Sequence, residues 1–144
     1  MIVPQWAGRY VGIPFHDTRY DLGGSNCWGI VYQVFKTERA IELATYAELS
    51  AADLIAASRQ FRDGAASEPW LSVIPPARAF DVVLMSAMTD MNGVSRRVPG
   101  HVGVMLSPDA LLHVWKATDS VIMPLDHPRI RHRILGFFRH KELA

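Results

Sequence analysis

Cys27, His101 and His113 are the residues whose types and spacing suggest chemistry. Cys27 is the single cysteine of the chain, so no internal disulfide can form. Such a thiol serves either as a small buried hydrophobe or as a nucleophile. Apolar residues at Cys27, Ile30, Val31, Val34 and Phe35 recur at helical spacing, behind two good N-cap residues, Ser25 and Asn26. At a helix start, unpaired N–H groups and the dipole favour a thiolate and can hold a developing oxyanion. Gly23-Gly24 just upstream permit close backbone approach of a substrate. Position alone leaves open the blander reading, in which Cys27 only packs against a sheet with Ile30 and Val31.

The histidines tilt that balance. His101 opens one candidate strand and His113 lies on the next, with Ser107-Pro108-Asp109 between them as a turn. A hairpin centred on Ser107 sets His101 opposite His113, Val102 opposite Leu112 and Val104 opposite Ala110, and makes the other face apolar. Gly103 leaves room beside the histidines. Directly opposed residues have Cβ atoms about 5 Å apart, so His113 could orient the His101 imidazole as the third group of a triad does. A lone histidine on a strand is more often a satisfied core residue; two in register with a cysteine on a helix start are less easily accidental. Two histidines without a neighbouring carboxylate or second cysteine make a poor zinc site, so neither metal nor cofactor is expected. His16, His127, His132 and His140 show no comparable arrangement.

The elements that must position these groups read as α+β, with helices in front and strands behind. A short helix is predicted over Gln5 to Tyr10, a loop over 11–26, and the Cys27 helix after it. A second helix begins after Ser50, where Ser50 and Asp53 form a capping-box-like pair, and runs through Leu54, Ile55 and Phe61 to a stop at Gly64. The prolines within 68–79 predict an irregular crossover. Strands follow over Phe80 to Ala87, His101 to Leu106, Ala110 to Trp115, Ser120 to Met123 and Ile134 to Arg139, with a loop over 88–100 that carries the Asn92-Gly93 turn signal. The length fits one domain over residues 1–144, and a chain of that size holds a core without disulfide or metal. Hydrophobic residues make up 49% and charged residues 20%, and the formal net charge is +1, which gives no reason to expect nucleic-acid binding. No run approaches the roughly 20 apolar residues of a membrane span, so no membrane insertion is expected. The start lacks the basic and apolar regions of a secretion signal.

With the blocks Tyr10-Val-Gly-Ile-Pro-Phe, Asn26-Cys-Trp-Gly-Ile-Val, Phe80-Asp-Val-Val-Leu-Met, Gly100-His-Val-Gly-Val-Met-Leu and Leu112-His113 in this order, the chain resembles the NlpC family of papain-like cysteine peptidases. The likeness runs from about Pro4 to Arg139. It implies a nucleophile helix packed on an antiparallel sheet of about five strands. It also implies a Cys-His-His triad: Cys27 attacks an amide carbonyl, His101 is base and then acid, and His113 is the orienter. The family commonly cleaves amide bonds in bacterial cell-wall peptides, so the implied partner is a peptidoglycan stem peptide. The Cys-Trp-Gly variant is similar to members encoded in phage tail modules and gene transfer agents. That likeness implies tail or baseplate proteins as further partners, synthesis in the host cytoplasm without a signal peptide, and delivery to the wall in a phage-like particle. Many members carry aspartate, serine and tyrosine where this chain has Asn26, Trp28 and Phe15, and in the family those positions help recognise the amine and D-residue of the peptide. Phe15, Asn26 and Trp28 are therefore the candidate substrate-binding residues, with Asp21 (or Asp17) a possible source of the missing charge.

Other features carry plainer readings. Arg96-Arg97 read as a solvated loop sooner than as an anion contact, and Arg129, Arg131, His132 and Arg133 as a partner surface or a charged edge. Trp6, Trp70 and Trp115 read as core or groove wall. Two rivals to a wall-peptide hydrolase stand beside it: a structural tail protein that keeps the fold without activity, and a thiol acyltransferase or deamidase acting on a protein.

Overall fold

The computed structural model describes residues 1–45 and 54–144. The chain opens with a 3₁₀ helix, Gln5–Tyr10. The segment read as a loop contains two short paired strands, β1 (Tyr20–Asp21) and β2 (Gly24–Ser25). Helix α1, Cys27–Arg39, begins where the cap signal places it: Asn26 is extended and its side-chain oxygen accepts the Gly29 N–H at 2.8 Å. Lys36 and Arg39 occupy its last turn, and Ala40, left-handed at φ 54°, ends it. Helix α2 spans Leu54–Ala65, one residue past the predicted stop at Gly64; its expected cap, Ser50 and Asp53, lies outside the described residues.

Six strands form one antiparallel sheet in the order β3-β8-β4-β5-β6-β7. They are β3 (Trp70–Val73), β4 (Val82–Met91), β5 (Val94–Ser107), β6 (Ala110–His113), β7 (Val121–Pro124) and β8 (Ile134–His140). The sixth strand, β3, corrects the irregular reading of 68–79. Trp70–Val73 pairs with β8 on one side only, as an edge strand, and prolines are tolerated beside an edge. The span 88–100 is also not a loop. β4 and β5 continue to a two-residue turn at Asn92-Gly93, whose φ angles of 57° and 79° are those of the turn that matches strand twist.

Alternation along the strands splits the core into two layers. Val82, Leu84, Val102, Val104 and Leu112 join α1 and Phe61 of α2 on one face; Val83, Met85, Met105, Leu111 and Phe137 form the other, covered by Ala77 and Ile130. Asp81 is buried at the foot of β4, where it takes a bidentate bond from Arg139 of β8 at 2.7 and 2.8 Å and the Arg78 N–H at 2.8 Å. Ser120 fastens the front of the chain to the back. It exchanges backbone bonds with Gly12 and Ile13 at 2.9 and 2.8 Å, while its hydroxyl accepts the Ile13 N–H and donates to the Tyr10 carbonyl.

Candidate active site

The β5–β6 hairpin brings the histidines together by a different register from the one expected. Val104 faces Leu112 and Met105 faces Leu111, with an irregularity before Ser107 meets Ala110. The pairing is thus offset by two residues from a turn centred symmetrically on Ser107. An offset of two keeps every side chain on its face, so His101 and His113 remain together as diagonal neighbours. His101 Nε2 lies 2.8 Å from His113 Nδ1. Gly103 takes the place opposite His113; a Cβ there would meet Leu111 Cδ1 at 3.0 Å and His113 Cβ at 3.3 Å.

Cys27 is the first residue of α1 and belongs to the first-face core, 8% exposed. A backbone group of β5, the Val102 N–H, acts on its thiol. Met105 makes its backbone bonds towards the β4 side, with Phe80 and Asp81. By alternation the N–H of Val102 points to the β6 side. There its opposite number would be Val114, past the end of β6. That N–H acts instead on the Cys27 sulfur, together with the N–H groups of Trp28 and Cys27 itself. The His101 side chain leaves β5 on the face opposite that of Val102, and among the described residues no hydrogen bond joins Cys27 to His101 or His113.

Electrostatics set the resting protonation. Burial pushes the Cys27 thiol above its ordinary value, and the three N–H groups only partly oppose it. The helix start therefore does not by itself hold a thiolate. Burial, the neighbouring His113 and the Arg133 charge hold His101 well below the usual histidine range, and burial brings His113 down to about 4. Both rings are neutral at pH 7.

Three further residues shape this corner that the sequence reading did not single out as part of it. Trp115 stacks on His101 at 6.1 Å and 26° and meets His113 edge-on at 4.4 Å. Met123 of β7 places its sulfur 3.1 Å from His113 Nε2. Arg133 lies near enough for its charge to act on His101. No local signal separates these from core filler or an exposed cation; only the strand order brings them here.

The candidate substrate residues are placed differently. Asn26 is buried and both ends of its amide are engaged, the oxygen with Gly29 N–H and the nitrogen with the Asp17 carbonyl at 2.8 Å. That second bond needs an N–H donor, which an aspartate lacks. Asp21 does not offer a free charge: Arg19 holds its carboxylate at 2.8 and 3.0 Å and the Gly23 N–H adds a third bond. Phe15 is half-buried against the first-face core and bonds through its N–H to the Thr118 carbonyl. Trp28 donates to the Ala44 carbonyl and lies edge-on to Trp70. It lines an apolar groove with Phe61, Val82 and Val102, and a cavity of about 270 Å³ with Glu42, Ser67 and Trp70. Neither space is lined by His101 or His113. Among the described residues no group of three or more His, Cys, Asp or Glu could hold a metal, and no helix is long and apolar enough to cross a membrane.

No family model and no curated protein matches the chain. Among solved structures it is similar to a protein described as similar to lipoprotein, NLP/P60 family, from Staphylococcus aureus subsp. aureus Mu50, with 19% identity and a TM-score of 0.58. The likeness covers 93% of this chain but 38% of that protein. An α1 helix packed on a six-stranded antiparallel sheet, together with that likeness, makes this an NlpC/P60-like α+β fold.

Proposed function

We propose that the chain is a cysteine peptidase or amidase that hydrolyses amide bonds in bacterial cell-wall peptides, with Cys27 as nucleophile, His101 as base and His113 as orienter. One observation carries the reading: His101 bonds through Nε2 to His113 at 2.8 Å, and the N–H of the next residue, Val102, acts on the Cys27 thiol at the start of α1. That bond leaves His101 Nδ1 as the nitrogen for proton transfer. Since thiol and imidazole are both neutral at rest, His101 acts as a general base during attack instead of forming a standing ion pair. His101 removes the thiol proton as sulfur bonds to the carbonyl carbon. The Cys27 N–H, at the positive end of α1, can stabilise the oxyanion. The His101 imidazolium, steadied by His113, then protonates the leaving amine. Water, deprotonated by His101, releases the acid from the thioester.

The stem peptide of peptidoglycan as substrate extends this reading from the family resemblance, and carriage by a phage tail or phage-like particle with its tail and baseplate proteins extends it from the Cys-Trp-Gly block. The test is incubation of purified protein with muropeptides. Fragment release by the wild type and none by Cys27→Ala supports the enzyme. The close burial of the thiol favours the second reading, a structural tail protein retaining the fold. No release by either protein, with native circular dichroism for both, favours that one, and labelling of Cys27 by a thiol-reactive probe at mild pH without cleavage points instead to a thiol acyltransferase or deamidase.

A further inference from the structure

We infer that Met123 is a positioning residue: its sulfur fixes the tautomers of the histidine pair so that His101 Nδ1 is the bare, proton-accepting nitrogen. The inference rests on the proposed role of His101 as base. Three side chains form a diagonal line across three adjacent strands: His101 on β5, His113 on β6 and Met123 on β7. The register sets Val121 opposite His113 and Met123 opposite Leu111, so Met123 reaches His113 obliquely, as His113 reaches His101. Diagonal neighbours stand about 7–8 Å apart at the backbone, a gap that an imidazole or a thioether chain spans.

The proton order follows from what each atom can do. A thioether sulfur has lone pairs and no hydrogen, so it only accepts. His113 Nε2, 3.1 Å from that sulfur, must therefore carry the hydrogen; a bare nitrogen would set two lone pairs against each other. A neutral imidazole has one N–H, so His113 Nδ1 is an acceptor. His101 Nε2, 2.8 Å away, must then be the donor. Neutral His101 has no second hydrogen, and its Nδ1 is left bare. Among the described residues no hydrogen bond occupies that nitrogen, and it is not sealed from solvent. With the opposite order, Nδ1 of His101 would hold the hydrogen and could not take one from a thiol. Gly103 serves the same device, since a side chain there would press on His113. Trp115 covers both rings.

The test reads proton positions directly. A long-range ¹H–¹⁵N correlation spectrum of ¹⁵N-labelled protein at pH 7.5 distinguishes protonated from bare ring nitrogens. The wild type is expected to show both His101 and His113 protonated on Nε2 alone. Met123→Leu keeps the bulk and removes the lone pairs, and is expected to show mixed tautomers in both rings. Equal mixing would lower kcat about twofold with KM unchanged, because half the molecules hold the wrong proton. A wild-type spectrum with His113 protonated on Nδ1 would overturn the inference, and that measurement stands even if the variant does not fold. A folded Met123→Leu variant with unchanged tautomers would also overturn it. The spectrum needs no substrate. A chain that cleaves no muropeptide yet holds these tautomers loses the amidase reading and keeps this one; cleavage with reversed tautomers does the opposite.

Discussion

Acid should loosen this protein well before its carboxylates titrate, and His113 sets the scale. Its pKa is about 4 in the folded chain against an ordinary 6.5, because burial disfavours the charged ring. A depressed folded pKa means that stability is complete above the unfolded value and drains away as pH falls towards the folded one. Between pH 7.5 and pH 5 the unfolded ring gains its proton while the folded ring does not. Linkage then removes about 2 kcal/mol, approaching about 3 kcal/mol at still lower pH. His101 is displaced in the same direction, partly by His113 itself, so a variant lacking the second ring loses part of that contribution too. The perturbation is His113→Asn, which retains a polar partner for His101 but does not titrate. The assay is urea unfolding of both proteins at pH 7.5 and 5.0. The wild type should lose at least about 2 kcal/mol more than the variant, a difference near 1 M in midpoint shift at an m-value of roughly 2 kcal/mol/M. Equal losses would refute the account and return the ring to an ordinary, solvated environment.

Three other outcomes follow from the same structure. The Cys27 thiol, raised by burial, should react with iodoacetamide at a rate that climbs through pH 9 with no plateau at neutral pH; a plateau below pH 7 would indicate a preformed thiolate. Asn26→Ala should cost about 1–2 kcal/mol by calorimetry, since it strips the cap of α1 and the bond to the Asp17 carbonyl; a change below a few tenths would show the cap to be idle. Asp81→Ala should cost about 3–5 kcal/mol in urea, because it strands Arg139 beside a buried gap; full rescue by the double variant with Arg139→Met would confirm that the stranded charge is the cause.

The parts of the site set by local chemistry were legible in the residues. Asn26 caps α1 because a short amide beside a glycine-rich turn competes well for a free N–H, and the periodicity after it places Cys27 at the first position. The shared face of His101 and His113 was also legible, because strand alternation survives any even slip. The register was not. Nothing in Met105-Leu-Ser-Pro-Asp announces that the ladder slips between Met105 and Ser107. β3 was hidden by the prolines that flank it, Pro69, Pro75 and Pro76, which an edge strand bonded on one side only tolerates. Met123 and Trp115 look like ordinary filler, and their role depends on β6 and β7 being neighbours, a fact of strand order alone. Asp21 was read by its charge, yet Arg19, two residues before it, already matches that charge.

The clasp at Ser120 bears on how the thiol comes to be seated at all. The segment leading into α1 bonds locally to Ser25 through Pro14 and His16, but Gly12 and Ile13 are held by a residue 107 positions beyond Ile13, so closing that clasp costs the entropy of a long loop. A nascent chain therefore carries its cysteine long before it can dock the stretch preceding it. Until Ser120 has left the ribosome, the Tyr10–Ile13 stretch that packs with α1 lacks its clasp and its apolar side chains are open to misassociation. Shortened versions ending ahead of Ser120 should accordingly be recovered as aggregates, and ones extending beyond β8 as native protein.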